Sequence, residues 1–244
     1  RRRAACRLFG VGRVASSVAL VSGGVRRTTS TVRVVSAVLL VVSTLVWMPG
    51  SPVGAWSSDD RAVAVFGSTS DSDYGRSVAV DSSGNVYTTG WFYNTVDFDP
   101  GAGTANLTAD SGYDVFVSKL DSSGDLVWAK NFGGTEYAKG FSVAVDSSGN
   151  VYTTGDFQGT VDFDPGAGTA NLTSNGSNDA FVLKLDSSGN YVWAKSWGSS
   201  DVGVANADDA SYSVAVDSSG NVYTTGGFRN TVDFDPGAGT TEFT

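Results

Sequence analysis

Six aspartates in this chain come in pairs one residue apart: Asp97 with Asp99, Asp162 with Asp164, and Asp233 with Asp235. Each pair sits in a Thr-Val-Asp-Phe-Asp-Pro-Gly-Ala-Gly-Thr stretch, starting at Thr95, Thr160 and Thr231. On a strand the two carboxylates of a pair share a face, about 7 Å apart by strand rise. Hard cations such as Ca2+ use carboxylates together with backbone carbonyls of an adjacent Gly-rich turn, so Ca2+ is the one cofactor these residues suggest. The competing reading needs no ion: the first Asp is solvated and the second caps the Pro-Gly turn. Calcium loops usually align more than two carboxylates, as in Asp-x-Asp-x-Asp-Gly, and that pattern is absent here, so the turn is the preferred reading.

Other chemistry is sparse. The stretch Asp71-Ser-Asp73-Tyr-Gly75 has an Asp-x-Asp-x-Gly look, but Glu136-Tyr-Ala-Lys-Gly140 and Asp208-Asp209-Ala-Ser-Tyr212 do not keep it, and it reads as a loop. Trp128 and Trp193 recur at one repeat position and read as core between units, whereas Trp91 is replaced by Asp156 and Gly227 and is the better candidate for a unique surface contact. Asn106-Leu-Thr, Asn171-Leu-Thr and Asn175-Gly-Ser match glycosylation sequons, which matter in a host that glycosylates exported proteins. There is no His, the only Cys is Cys6, and no phosphate-cradling Gly-rich loop opens a helix. The sequence therefore points away from an enzyme, although 25 acids make some carboxylate pairs by chance.

Charge divides the chain. Residues 1–55 hold eight Arg and no acid, while residues 56–244 hold eight basic residues against all 25 acids, a net −17. That balance argues against nucleic acid as a partner. In residues 1–55, Arg26, Arg27 and Arg33 precede an apolar run over 34–48, then Pro49 to Pro52, then Val53-Gly54-Ala55. This is the three-part pattern of a secretory signal peptide, and the run of about 15 residues is short of the roughly 20 a membrane span needs. An uncleaved anchor, which would give the only membrane contact, and an organelle transit peptide are the alternatives. With Cys6 in the leader, the exported part relies on packing or bound ions and not on disulfides.

The elements that must position these residues follow from an internal repeat. Asp81, Asp146 and Asp217 mark one position in three units, 65 and 71 residues apart. The stretch from Phe116 to Lys130 recurs from Phe181 to Lys195, and the six extra residues of the later spacing fall in the connector 197–213, which is loop behaviour. Strand composition predicts strands over 77–80, 86–92, 115–120 and 126–132 in the first unit. Asp-Ser-Ser-Gly-Asn/Asp occurs five times, at Asp81, Asp121, Asp146, Asp186 and Asp217, and reads as a hairpin turn in which Asp bonds its own backbone and Gly takes positive φ. The stretch 95–108 reads as a short hairpin extending from the sheet. Apolar residues on both strand faces imply a sheet covered on both sides, and repeated four-stranded antiparallel sheets stacked face to face make a β-propeller.

The Asp-Ser-Ser-Gly-Asn-Val-Tyr-Thr-Thr-Gly and Lys-Leu-Asp-Ser-Ser-Gly-Asn-Tyr-Val-Trp-Ala-Lys segments resemble the SBBP-type β-propeller repeats of bacterial exported proteins. They are more distantly similar to NHL-type blades, which carry an Asp-x-x-Gly-Asn-x-Tyr hairpin. The resemblance covers roughly residues 63–244 and implies a scaffold without handing over catalytic residues. The expected organisation is a leader over 1–55, a first strand and connector over 56–76, units over 77–141 and 142–212, and a partial unit over 213–244. A closed propeller takes about four to eight blades, so the expected all-β ring is incomplete, with further blades of a longer chain as neighbours and the segment 62–66 completing the final blade. The expected function is an exported, non-enzymatic scaffold that is secreted or at the cell surface and binds a glycan or a protein. The alternatives are the N-terminal part of a propeller enzyme acting on extracellular polysaccharide and a structural spacer.

Overall fold

The computed structural model describes residue 67, residues 73–200, 209–235 and 239–244 of the 244. The leader, the segment 62–66 and most of the connector between the second and third units lie outside the described residues.

Every element described is a strand. The first unit is β1 (Tyr74–Val80), β2 (Val86–Asp97), β3 (Asn106–Leu120) and β4 (Leu126–Gly134). The second is β5 (Ala138–Val145), β6 (Val151–Asp162), β7 (Asn171–Leu185) and β8 (Tyr191–Trp197). Within each unit neighbours in sequence pair antiparallel, in the order β1-β2-β3-β4 and β5-β6-β7-β8. The third contributes the hairpin β9 (Ala210–Val216) with β10 (Val222–Gly227), and the small hairpin β11 (Val232–Asp233) with β12 (Glu242–Phe243). The described strands form propeller-like repeats and do not close into a ring.

All five Asp-Ser-Ser-Gly segments are turns, as their composition predicts. In the first, the N–H groups of Ser83 and Asn85 donate to Asp81 Oδ1 at 2.9 and 3.0 Å, while Asn85 Nδ2 and Tyr87 Oη donate to Asp81 Oδ2 at 2.7 and 3.0 Å. The fourth turn residue is a Gly at φ 80 to 86 in each case, the conformation that L side chains avoid. These Asp residues are turn formers; in four of the five an Asn side chain also donates to Oδ2, while Asp121, followed by Asp125, accepts through Oδ1.

β2 and β3 run longer than strand composition suggests because the stretch 95–108 continues the ladder: Thr95 pairs with Thr108, Val96 with Leu107 and Asp97 with Asn106. A register shift at Asn94, which has φ 60, lets the extension turn away from the sheet. In the second unit the same extension reaches back to the preceding unit. Gly133 and Gly134 at the end of β4 pair with Asp162 and Val161, and Phe132 stacks on Phe163. Trp197 meets Phe234 in the corresponding way. The extension is thus a clasp between units.

The core lies between the sheets. Tyr87, Val115, Val117 and Phe132 of the first unit form one cluster with Val143, Phe157, Phe163 and Leu183 of the second. Tyr152 and Val182 do the same with Val214 of the third. Each large side chain buried this way contributes about 1.5–3 kcal/mol. Tyr223, equivalent to the fully buried Tyr87 and Tyr152, is 56% exposed. β1, β5 and β9 pack on one another from unit to unit and are the inner strands.

Candidate binding site at the inner-strand bulges

The paired aspartates are placed by their own loops. Asp97 Oδ1 accepts the N–H of Asp99 at 3.0 Å and of Ala105 at 2.8 Å, and Asp99 Oδ1 accepts that of Gly101 at 2.7 Å. Asp162 and Asp164 repeat this on Asp164, Ala170 and Gly166, and Asp233 does so on Asp235 and Thr241. Asp235 sits two residues after Asp233, as Asp99 does after Asp97. The first Asp of each pair is therefore the staple that closes the loop, and not merely solvated. The amides of Ala105 and Asp99 hold the Asp97 carboxyl below its ordinary range, and those of Thr241 and Asp235 do the same for Asp233. Among the described residues no three carboxylates, His or Cys gather as a metal site would require.

Other carboxylates are buried. Asp114 and Asp179 occupy one repeat position, and burial pushes both up to about 6. Asn131 Nδ2 donates to Asp114 at 2.8 Å, and the Asn175 amide and side chain donate to Asp179 at 3.2 Å. A Cβ on Gly133 or Gly198 would collide with these carboxylates, so each Gly makes the room. Asp73 and Asp209 share a further role, accepting the backbone N–H of Tyr93 at 3.0 Å and of Arg229 at 2.7 Å. The strand register makes Ala210 the counterpart of Tyr74, so Asp209 is the counterpart of Asp73, one position earlier than the sequence alignment of that loop placed it.

What the repeat does not reproduce converges on one place. Each inner strand carries a bulge of one extra residue against its partner: Arg76 on β1, Phe141 on β5 and Tyr212 on β9. The bulge forces the strand close to a Gly across the ladder. A Cβ at Gly90, Gly155 or Gly226 would collide with the carbonyl oxygen of Tyr74, Lys139 or Ala210. Bulges re-aim side chains, and here three large ones are aimed from successive units toward each other.

The result is a continuous aromatic strip. Ring centroids are 4.9 Å apart from Tyr74 to Trp91, 5.8 Å from Trp91 to Phe141 and 5.8 Å from Phe141 to Tyr212. Tyr74 is 42% and Tyr212 58% exposed, while Trp91 and Phe141 are half-buried. Two cations flank Trp91. The Arg76 guanidinium lies 5.4 Å from the Trp91 ring and 5.9 Å from Phe141. Lys139 Nζ lies 5.8 Å from Trp91, 5.9 Å from Tyr113 and 4.5 Å from Tyr137. These contacts fall within the range of cation–π attraction. At the second-unit counterpart of Trp91, Asp156 stands opposite Lys139 in the ladder, and its Oδ2 accepts from Asn178 Nδ2 at 2.9 Å.

The structure places Trp91 at the centre of this surface. Trp128 and Trp193 lie between units: Trp128 packs over Gly189 of the next unit's turn and donates Nε1–H to Ser187 O at 3.3 Å, and Trp193 packs on the cluster that Tyr152 and Val182 form with Val214 of the third unit. Arg76, Lys139, Phe141 and Tyr212 were not legible as site residues. For Arg76, Phe141 and Tyr212 the signal was a position that changes type from copy to copy, immediately before the otherwise constant Ser-Val-Ala-Val, and for Lys139 it was the equally variable position two residues earlier.

Comparison with known proteins agrees with the repeat. Residues 66–91, 127–156 and 202–226 match the SBBP β-propeller repeat. The middle match runs through β4, β5 and β6, so that repeat begins on an outer strand. An uncharacterized WD repeat-containing protein of Acanthamoeba polyphaga mimivirus is 26% identical over 125 residues, which are 46% of this chain and 9% of that protein. Regulatory protein FlaEY of Caulobacter vibrioides is 34% identical over 80 residues, 33% of this chain and 8% of that protein. The chain spans less than a tenth of the length of either relative.

Proposed function

We propose that this chain, built of SBBP-type β-propeller repeats, is an exported, non-enzymatic binding scaffold whose ligand lies on the strip Tyr74–Trp91–Phe141–Tyr212. The observation that carries the reading is the convergence of non-repeated large side chains at three bulges. Positions needed only for the scaffold recur from unit to unit, as Tyr87 and Tyr152 in the core or Asp81, Asp146 and Asp217 in the turns do. The bulge residues differ in type yet meet in one surface.

Export rests on the signal-peptide pattern of the leader and places the ligand, a glycan or a protein, outside the cell. The exposure of Tyr223 and Phe228, against the burial of their counterparts, supports further blades as neighbours in a closed ring. A polysaccharide-cleaving enzyme is the second reading. Asp179 and Asp209 at the second connector are its natural acid pair, but both are fully buried and engaged by backbone amides, so the observations favour binding.

The test is a glycan and extracellular-protein array probed with the wild-type chain and with Trp91→Ala. A ligand retained by the wild type and lost by the variant, with the melting temperature kept, supports the reading. An identical pattern for both chains overturns it.

A further inference from the structure

We propose, resting on the binding reading above, that the strip takes a linear polysaccharide bearing carboxylate groups. The geometry is an extended ribbon of rings crossing three units, which suits a polymer lying along it. Rings with polar tips and apolar bodies offer flat faces to sugar C–H groups and hydroxyls to sugar oxygens.

Charge selects the class. Among the described residues seven are basic. Lys119 and Lys184 are repeat partners that lie over Tyr87 and Tyr152, and Lys130 and Lys195 are likewise one repeated position. Arg76, Lys139 and Arg229 do not recur, and two of these three meet at the single tryptophan of the strip. Guanidinium and ammonium groups form charge-assisted hydrogen bonds with carboxylates, with Arg matching the two oxygens of one group. Among the described residues Arg76 is held over ring faces, and it can swing onto a carboxylate while Trp91 and Phe141 keep a sugar face.

The acids near the strip do not cancel this. Asp156, opposite Lys139, is buried and receives Asn178; Glu136 lies against Gly159; Asp73 accepts the Tyr93 amide. The net −17 of residues 56–244 opposes a polyanion at long range. Recognition is therefore by contact at the strip and not by steering, and long-range repulsion fades once salt shortens the screening length to about 10 Å near 0.1 M.

The experiment is a titration of the full chain at ~0.1 M salt with polygalacturonate, alginate and hyaluronate, and with the methyl-esterified form of each polymer bound. The expected result is binding of at least one polyuronate and a loss of about tenfold on esterification. Arg76→Gln and Lys139→Gln each lose about tenfold for the acid form and little for the ester. Trp91→Ala loses both forms. Equal binding of acid and ester overturns the carboxylate proposal and leaves the strip as a neutral-glycan site. Failure of all three polyuronates also overturns it, and the binding reading then stands or falls on the array.

Discussion

The side chain of Ser142 accepts the backbone N–H of Val214 at 3.2 Å, joining the inner strand of the second unit to that of the third. Ser77 accepts the N–H of Val143 at 3.2 Å in the same way between the first and second. β5 and β9 each pair on one side only, so these amides stand on bare sheet edges, and the Ser of Ser-Val-Ala-Val fills the need from the unit before. Thr89 Oγ1 and Thr153 Oγ1, 3.0 Å apart, add a second polar link at the same seam. Units are thus registered by hydrogen bonds as well as by the apolar core.

Ser142→Ala leaves the part-buried amide of Val214 without that partner, and it should destabilise the chain by about 1–2 kcal/mol in urea unfolding. Ser148→Ala, in an exposed turn position, should stay within about 0.5 kcal/mol. Equal effects would show that the Ser142 link does not register the units.

Stability should rise as pH falls from about 7.5 toward 5. Burial raises the folded-state values of Asp114 and Asp179 to about 6 from the ordinary 3.8. The folded chain then binds protons more tightly than the unfolded one, so this contribution is fully present below the unfolded value and is lost as pH rises through about 6. Asp114→Asn and Asp179→Asn should flatten that limb of a melting-temperature profile. An unchanged slope in the double variant would contradict the assignment.

The turn aspartates act oppositely. Asp146 is pushed up by burial, but the donors Asn150, Ser148 and Tyr152 outweigh this and hold it below its ordinary value. Its contribution is present above the unfolded value of 3.8 and is lost as pH falls through the lower folded value. Together with the buried pair this predicts a stability maximum between about 6 and the unfolded value of 3.8. Asp146→Ala should weaken acid resistance and lower stability by about 1–2 kcal/mol.

If the aspartate pairs are loop staples, Ca2+ leaves the melting temperature unchanged and Asp162→Ala lowers it, since Ala170 and Asp164 lose an acceptor. A calcium site would instead add about 2.7 kcal/mol at one hundred times its dissociation constant. Melting with millimolar Ca2+ and with chelator separates the two.

Much of the scaffold is legible in the sequence because its signals are local. The turn Asp and Gly, the Val and Tyr that open β2 and the 65-residue spacing lie within a few residues or one period of one another. The hairpin extension is legible too, but not its clasp onto β4, which depends on how one unit meets the next. The strip is the least legible part. Arg76, Phe141 and Tyr212 stand 65 and 71 residues apart, each inside a strand start that looks ordinary alone. Only the bulges opposite Gly90, Gly155 and Gly226 turn them toward one another. Trp91 could be singled out because its position changes between copies, yet its cations come from two different units.

The central claim is that non-repeated side chains at the bulges form the binding surface. Its most direct test is the affinity of one array-identified ligand for the wild-type chain and for the double variant Trp91→Ala/Phe141→Ala, with Trp128→Phe between units as a control. The account predicts a loss of at least about a hundredfold in the double variant, since rings of this kind carry a large part of binding energy, and unchanged affinity in the control. Undiminished binding by the double variant would contradict it.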